Sequence, residues 1–279
     1  MTAIPRDSSR DRRIEVPSNI WLVHATAHAL LPFALRRRIS ANAVSLAGLA
    51  IGGAAAVAFY HWRSPMAATI GLLLAFGWLV ADGLDGMVAR ATRTASALGR
   101  MLDGLCDHGV FVLLYVAAAV SLGTAGGWAL AVAAGVAHAV QSSLFEGERA
   151  RFHRRARGDA GSAPAARVGT LPERLYDHVV GWLDRAAAPF DHALADARDP
   201  AALGRDYAAR AVGPLRAMVP LSANTRVLAL WIASLLGDVR LFWWFELIVL
   251  TTLAIFAMAW HRRVESHFLP RGRAAHVSF

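Results

Sequence analysis

"DGLDGMVARATRTASALGRMLDGLCD", residues Asp82–Asp107, sets four aspartates between two apolar stretches. A charged side chain at bilayer depth is costly unless something pairs with it. Asp82, Asp85, Gly86 and Ala89 stand at i, i+3, i+4 and i+7, so on a helix they share one face. Gly99, Asp103 and Asp107 stand at i, i+4 and i+8 and share a face of the next helix. The turn between, "RATRTASA", is short and polar. Two neighbouring helices therefore aim four carboxylates into one space. Anions this close repel, so protons or cations must neutralise them. An all-oxygen donor set favours hard divalent ions, Mg2+ or Mn2+. Two such ions bridged by shared aspartates would clamp a phosphate for in-line displacement. Gly86, Ala89 and Gly99 carry little or no side chain, which lets a bulky group approach the backbone. Arg90 follows on and can reach a phosphate oxygen. One intramembrane aspartate is commonly a helix–helix hydrogen bond; four at this spacing are not explained that way.

The rest of the chain supplies the membrane. Of 279 residues, 56% are apolar and 18% charged, with a mean hydropathy of +0.40, which suits a polytopic membrane protein better than a soluble domain. The net charge is +9 and arginine supplies every non-histidine cation. With this hydropathy, that charge points to an anionic membrane surface and not to nucleic acid. A single cysteine, Cys106, excludes an intrachain disulfide. Six stretches approach the ~20 apolar residues that a helix needs to span a bilayer: Ala43–Trp62, Met66–Val88, Leu102–Leu122, Trp128–Phe145, the short Arg226–Gly237, and Leu241–Trp260. Arginines crowd alternate loops: Arg36–Arg38, then Arg90, Arg93 and Arg100, then Arg149–Arg157, then Arg262 and Arg263. The opposite loops hold only Arg63 and Arg240. The positive-inside rule then places both termini and the aspartates on the cytoplasmic side of an inner or plasma membrane.

The expected fold is all-α and polytopic, with six transmembrane helices, an N-terminal interfacial helix and a helical cytoplasmic insertion. A polar tail (1–17) precedes the interfacial segment (18–42), "SNIWLVHATAHALLPFALRRR" and the residues that follow it. Transmembrane helices 1–4 (43–148) carry the acidic motif at 82–107. A cytoplasmic insertion (149–221) follows, then helices 5–6 (222–261) and a basic tail (262–279). Within the insertion, "RRARGDAGSAPAARVG" reads as a turn region. Beyond it, Leu175, Val179, Trp182 and Leu183 mark one side of an amphipathic helix.

Written in full, the motif is Asp82-x-x-Asp85-Gly86-x-x-Ala89-Arg90, eight residues, then Gly99-x-x-x-Asp103-x-x-x-Asp107. It resembles the signature of the CDP-alcohol phosphatidyltransferase family, with every fixed position occupied. The resemblance implies a six-helix membrane enzyme, commonly a homodimer, that moves a substituted phosphate from a CDP-linked lipid donor to a small hydroxyl acceptor and releases CMP. By position it assigns Asp82, Asp85 and Asp103 to two metal ions, with Asp107 a further ligand or the general base. Gly86, Ala89 and Gly99 match the positions that accommodate the cytidine nucleotide, and Arg90 the position that contacts its phosphates.

The acceptor is less plainly written. Relatives using glycerol phosphate or inositol phosphate usually resemble Tyr-x-(Lys/Arg)-Ala-Arg at the cytoplasmic end of span four. Here "SSLFEGERARF" puts Glu146 and Glu148 where cations are expected. "LDGLCDHG" also departs from the "LDPxxDK" of phosphatidylglycerophosphate synthases. An inositol-type polyol is favoured over a phosphorylated acceptor, with the two glutamates either accepting from its hydroxyls or simply solvated. Asn42 either caps span one or approaches the nucleotide. Arg226 either snorkels or meets an acceptor phosphate. The cluster "FWWF" at Phe242–Phe245 reads as an interfacial belt. Two rival classes share the acidic motif: a divalent-ion carrier, against which the absence of a repeat counts, and a metal-dependent phosphohydrolase using water as acceptor.

Overall fold

The computed structural model describes residues 11, 13–94, 97–161, 185 and 187–269, apart from the side chains of residues 20, 97–105 and 107. Among these residues there are helices and no strand. A π-helical turn at Asn19–Val23 leads into α1 (His24–Arg36). Then come α2 (Ala41–Tyr60), α3 (Pro65–Thr92), α4 (Ala97–Leu122) and α5 (Ala125–Arg155). They are followed by α6 (187–195), α7 (Pro200–Ala217), α8 (Ala223–Leu235) and α9 (Arg240–Ser266).

Local chemistry sets the ends of these helices. Ser40, Ser64 and Asp199 each precede a helix and accept a hydrogen bond from a backbone N–H three residues on, at 3.2, 3.3 and 2.9 Å. Such caps satisfy first-turn donors that have no partner within the helix. Pro65 and Pro200 follow two of them, at the position where the missing N–H costs nothing. Asn42 is therefore no cap: it lies inside the first turn of α2, exposed, and Ser40 does that work. Arg93, at φ 55°, closes α3, and the N–H of Thr94 reaches back to the carbonyl of Ala89 at 3.0 Å.

Among the described residues four helices are long and apolar enough to cross a membrane: Ala41–Tyr60, Pro65–Thr92, Ala125–Arg155 and Arg240–Ser266. Helix α4 is apolar over His108–Leu122. Helix α8 has 13 residues, about 20 Å at 1.5 Å per residue, short of a ~30 Å hydrocarbon core. Large apolar side chains face outward along these helices, among them Val57, Leu73, Val112, Val132, Ile255 and Phe256. Such a surface fits a hydrocarbon solvent and not water.

The chain divides into two compact units. Residues 16–137 and 223–249 form one. Its core joins Phe59, Trp78, Val110, Phe111, Leu114, Tyr115, Phe242 and Trp243. Small residues set the helix spacing there. A Cβ on Gly52 would stand 2.3 Å from Val110 Cγ2, and one on Gly71 2.8 Å from the Phe59 ring, so α2 needs both glycines to lie this close to α4 and α3. Phe242 and Trp243 are buried here and only Trp244 of the aromatic run is well exposed, so "FWWF" is largely core. Packing claims these rings because they fall on the inward side of α9.

Residues 11–15, 138–222 and 250–269 belong to the other unit. Helix α5 continues to Arg155, well past the expected span end at Phe145. Its last turn crosses α7 at Gly204, where a Cβ would stand 2.2 Å from the carbonyl oxygen of Arg155. Phe152, Phe190, Leu194, Tyr207 and Leu215 form the apolar centre. The amphipathic side anticipated at Leu175, Val179, Trp182 and Leu183 lies outside the described residues.

Candidate active site

Helix α3 is unbroken from Pro65 to Thr92, so the spacing of Asp82, Asp85, Gly86 and Ala89 becomes a real face. Asp85 is 4% exposed and Asp82 half-buried. The Ser45 hydroxyl, one turn into α2, donates to Asp85 Oδ2 at 2.5 Å. Reading the sequence singled out Asn42 nearby and missed Ser45. The available signal was a serine set on a stripe of small residues in α2. Gly83 has its own role: a Cβ there would meet Val23, His24 and Ala27 at 3.5–3.8 Å, so α1 crosses α3 beside the aspartates. Gly86 leaves a gap that the Arg90 side chain bends over, with Nη1 3.3 Å from where a Cβ would be. Two carboxylates, a backbone without side chain and a guanidinium thus line up along about two turns of one helix.

The backbone of α4 is helical from Ala97, which puts Gly99, Asp103 and Asp107 at four-residue steps. Their side chains lie outside the described residues. Their level on the helix can still be fixed. Phe111 packs edge-on against Trp78, ring centroids 5.4 Å apart. Trp78 stands one turn before Asp82 on α3, and Phe111 one turn after Asp107 on α4. The helices are joined by only four residues and run in opposite directions, so one turn from this contact toward the loop reaches Asp82 on one helix and Asp107 on the other. Cys106, beside Asp107, is buried and forms no disulfide. His108 is exposed.

Asp82 and Asp85 offer hard oxygen donors beside Gly86, a chemistry that fits divalent ions. A second acidic group behaves differently. Ligand atoms of Glu148, His261 and Glu265 lie within 4.8 Å of one another. Arg151 Nη1 donates to Glu148 Oε1 at 2.6 Å, and Arg262 donates to that same oxygen. His261 Nδ1 lies 2.6 Å from Glu148 Oε2. Glu265 takes Arg155 at 2.5 Å and Arg262 on its other oxygen. Asp191 accepts from Arg155 Nε at 2.7 Å. Three guanidiniums face three carboxylates in a buried, charge-balanced knot, and a cation would have to displace arginines to enter. Tyr207, 2.9 Å from His261 Nε2, completes it; burial pushes its hydroxyl well above the ordinary tyrosine pKa. Glu148 is therefore neither solvated nor open to an acceptor, while Glu146 is an exposed partner of Arg149.

Arg226 departs from both of its expected roles. It is fully buried and lies 2.8 Å from Glu246, itself fully buried. Glu246 is the inward-facing acid that the apolar run of α9 concealed.

Residues 38–170 match the family model described as CDP-alcohol phosphatidyltransferase. Over that segment the chain is similar to the CDP-alcohol phosphatidyltransferase family. The match takes in α2 to α5 and the whole acidic stretch. That family is a transferase family: it moves a phosphatidyl group from a CDP-alcohol to an acceptor and typically depends on a divalent metal. No curated protein and no solved structure gives a significant match to this chain.

Proposed function

We propose that this protein moves a phosphatidyl group from CDP-diacylglycerol to an uncharged polyol of the inositol type and releases CMP. The observation that carries the reading is the α3 face, where Asp82 and Asp85 stand beside Gly86 and under Arg90, within the segment that matches the family.

In this reading Asp82, Asp85, Asp103 and Asp107 hold two divalent ions, Mg2+ or Mn2+, whose charge offsets that of the diphosphate. Gly86, Ala89 and Gly99 leave room for the cytidine nucleotide, and Arg90 holds a phosphate oxygen. Asp107 accepts the proton of the acceptor hydroxyl. The freed oxygen forms a bond to the phosphorus that bears the lipid, and the bond from that phosphorus to CMP breaks. CMP leaves with the electron pair. Alignment and charge neutralisation supply the rate, and the protein need form no covalent intermediate. Six spans, a cytoplasmic site and a homodimer accompany this reading.

Charge balance supports a neutral acceptor. The buried arginines Arg151, Arg155, Arg226 and Arg262 each have a glutamate partner. These four cations are already matched by acids of the chain, so an acceptor phosphate drawing on any of them would break a buried pair. The test is incubation of purified protein with radiolabelled CDP-diacylglycerol, Mg2+ and candidate alcohols. CMP release that depends on a neutral polyol supports the proposal. Dependence on glycerol phosphate or inositol phosphate moves the acceptor to the phosphorylated class. Release without any alcohol means a phosphohydrolase, and no release under any condition favours an ion carrier.

A further inference from the structure

Glu246 lies in the second turn of the most apolar of the four helices long enough to span, at the start of a π-helical run, Phe245–Leu250. Short π-helical turns inside α-helices often mark functional sites, and an ionised group at this depth needs a dedicated partner. Glu246 has two. One carboxylate oxygen meets Arg226 of α8 at 2.8 Å; the other accepts from the hydroxyl of Tyr115 on α4. Tyr115 is also gripped by its ring, edge-on to Phe242 at 5.5 Å. Three helices are thus tied at one buried point, where the Tyr115 hydroxyl gives α4 a directional, polar hold beside its ring contact.

The place of that hydroxyl on α4 gives it a further consequence. Tyr115, Phe111, Asp107 and Asp103 follow one another at four-residue steps along one stripe of the helix. Phe111 sets the level of α4 against α3 through Trp78, but an edge-on ring contact tolerates rotation about the helix axis. A hydrogen bond to a fixed carboxylate does not. We propose that Tyr115 is a positioning residue: held by the Glu246–Arg226 pair, it sets the rotation of α4 and thereby where Asp103 and Asp107 are presented to the ions. This rests on the assignment of those aspartates as metal ligands under the proposed function, whereas the rotational tie itself can be tested without it.

The native thiol of Cys106 is a built-in reporter, buried on α4 next to Asp107. Tyr115→Phe keeps the ring and removes only the hydroxyl; Glu246→Gln removes the charge that holds it. Two quantities would be followed well below the melting temperature: the rate of Cys106 alkylation by a maleimide, and Mn2+ binding from the paramagnetic resonance signal of free ion. Tyr115→Phe is expected to speed alkylation and to weaken Mn2+ binding roughly tenfold, in line with other residues that orient metal ligands. Glu246→Gln is expected to do the same or, if it does not fold, to leave Tyr115→Phe as the deciding variant. Unchanged alkylation in Tyr115→Phe overturns the proposal, whatever happens to melting temperature. Faster alkylation in Tyr115→Phe, with a wild-type protein that neither binds Mn2+ nor releases CMP, upholds the rotational tie and removes the proposed function instead.

Discussion

Two groups of buried acids are built in opposite ways. Glu148 and Glu265, in the unit that holds the insertion, accept from three arginines and stand against an imidazole. Asp85, in the other unit, accepts from the neutral hydroxyl of Ser45 and has glycine as its next neighbour on α3. Carboxylates paired with guanidiniums are electrically finished: their ligand is part of the chain. Carboxylates set beside small residues are, in the proposed reading, arranged for a cation and a phosphate that come from outside. The same side-chain chemistry serves folding in one unit and, in the proposed reading, catalysis in the other.

The sharpest way to break this comparison is to neutralise one member of each group. Asp107→Asn is expected to lower CMP release by about 10²–10⁴, the range for losing a general base. It should leave the melting temperature within a few degrees and most of the donor affinity in place, measured by binding of radiolabelled CDP-diacylglycerol. Near-normal turnover would remove the role given to Asp107. Glu148→Gln is expected to do the reverse. It removes the buried charge that Arg151 and Arg262 share, and breaking such a pair costs about 3–5 kcal/mol. Thermal unfolding in detergent should show the loss, and chelating divalent ions should not reproduce it. If a chelator melts the wild type as the substitution does, the knot holds a metal after all.

A smaller effect sharpens the catalytic side alone. A side chain at Gly86 must displace the Arg90 guanidinium, 3.3 Å from the new Cβ, and then fill the space left for a nucleotide. Gly86→Val is expected to weaken donor binding by about tenfold or more, since overfilling a packed site typically costs 1–3 kcal/mol. Equilibrium binding of the CDP donor measures it. Unchanged affinity would put the nucleotide elsewhere.

What the sequence made legible follows the same division. The acidic motif was readable because helical spacing is local: Asp82, Asp85 and Gly86 need only one helix to share a face. The apolar helices were readable for the same reason, although α8 is too short for its sequence alone to settle that it spans. The misreadings of charged residues concern partners on other helices. Glu148 looked like a solvated or acceptor-facing acid because its partners His261 and Arg262 come more than a hundred residues later. Arg226 looked like a snorkelling cation because Glu246 was hidden in an apolar run. Charge in a sequence announces itself, but which opposite charge it will meet depends on tertiary packing that no local period encodes.

The finest test of the comparison is Ser45. If Asp85 is held for an external cation, the neutral hydrogen bond from Ser45 orients the carboxylate without competing for its charge. Removing that bond should leave the acid in place and only loosen its aim. A single neutral hydrogen bond contributes about 1 kcal/mol, so Ser45→Ala is expected to weaken Mn2+ binding by a few-fold at most and to change the melting temperature little. Ser45→Asp, by contrast, adds a second negative charge beside the first. Two carboxylates this close cannot both stay ionised unless a cation joins them. That variant should be rescued toward wild-type melting by millimolar Mn2+. The rescue is what separates a carboxylate waiting for a metal from one that is merely buried: a site with no cation to offer would stay destabilised at every Mn2+ concentration.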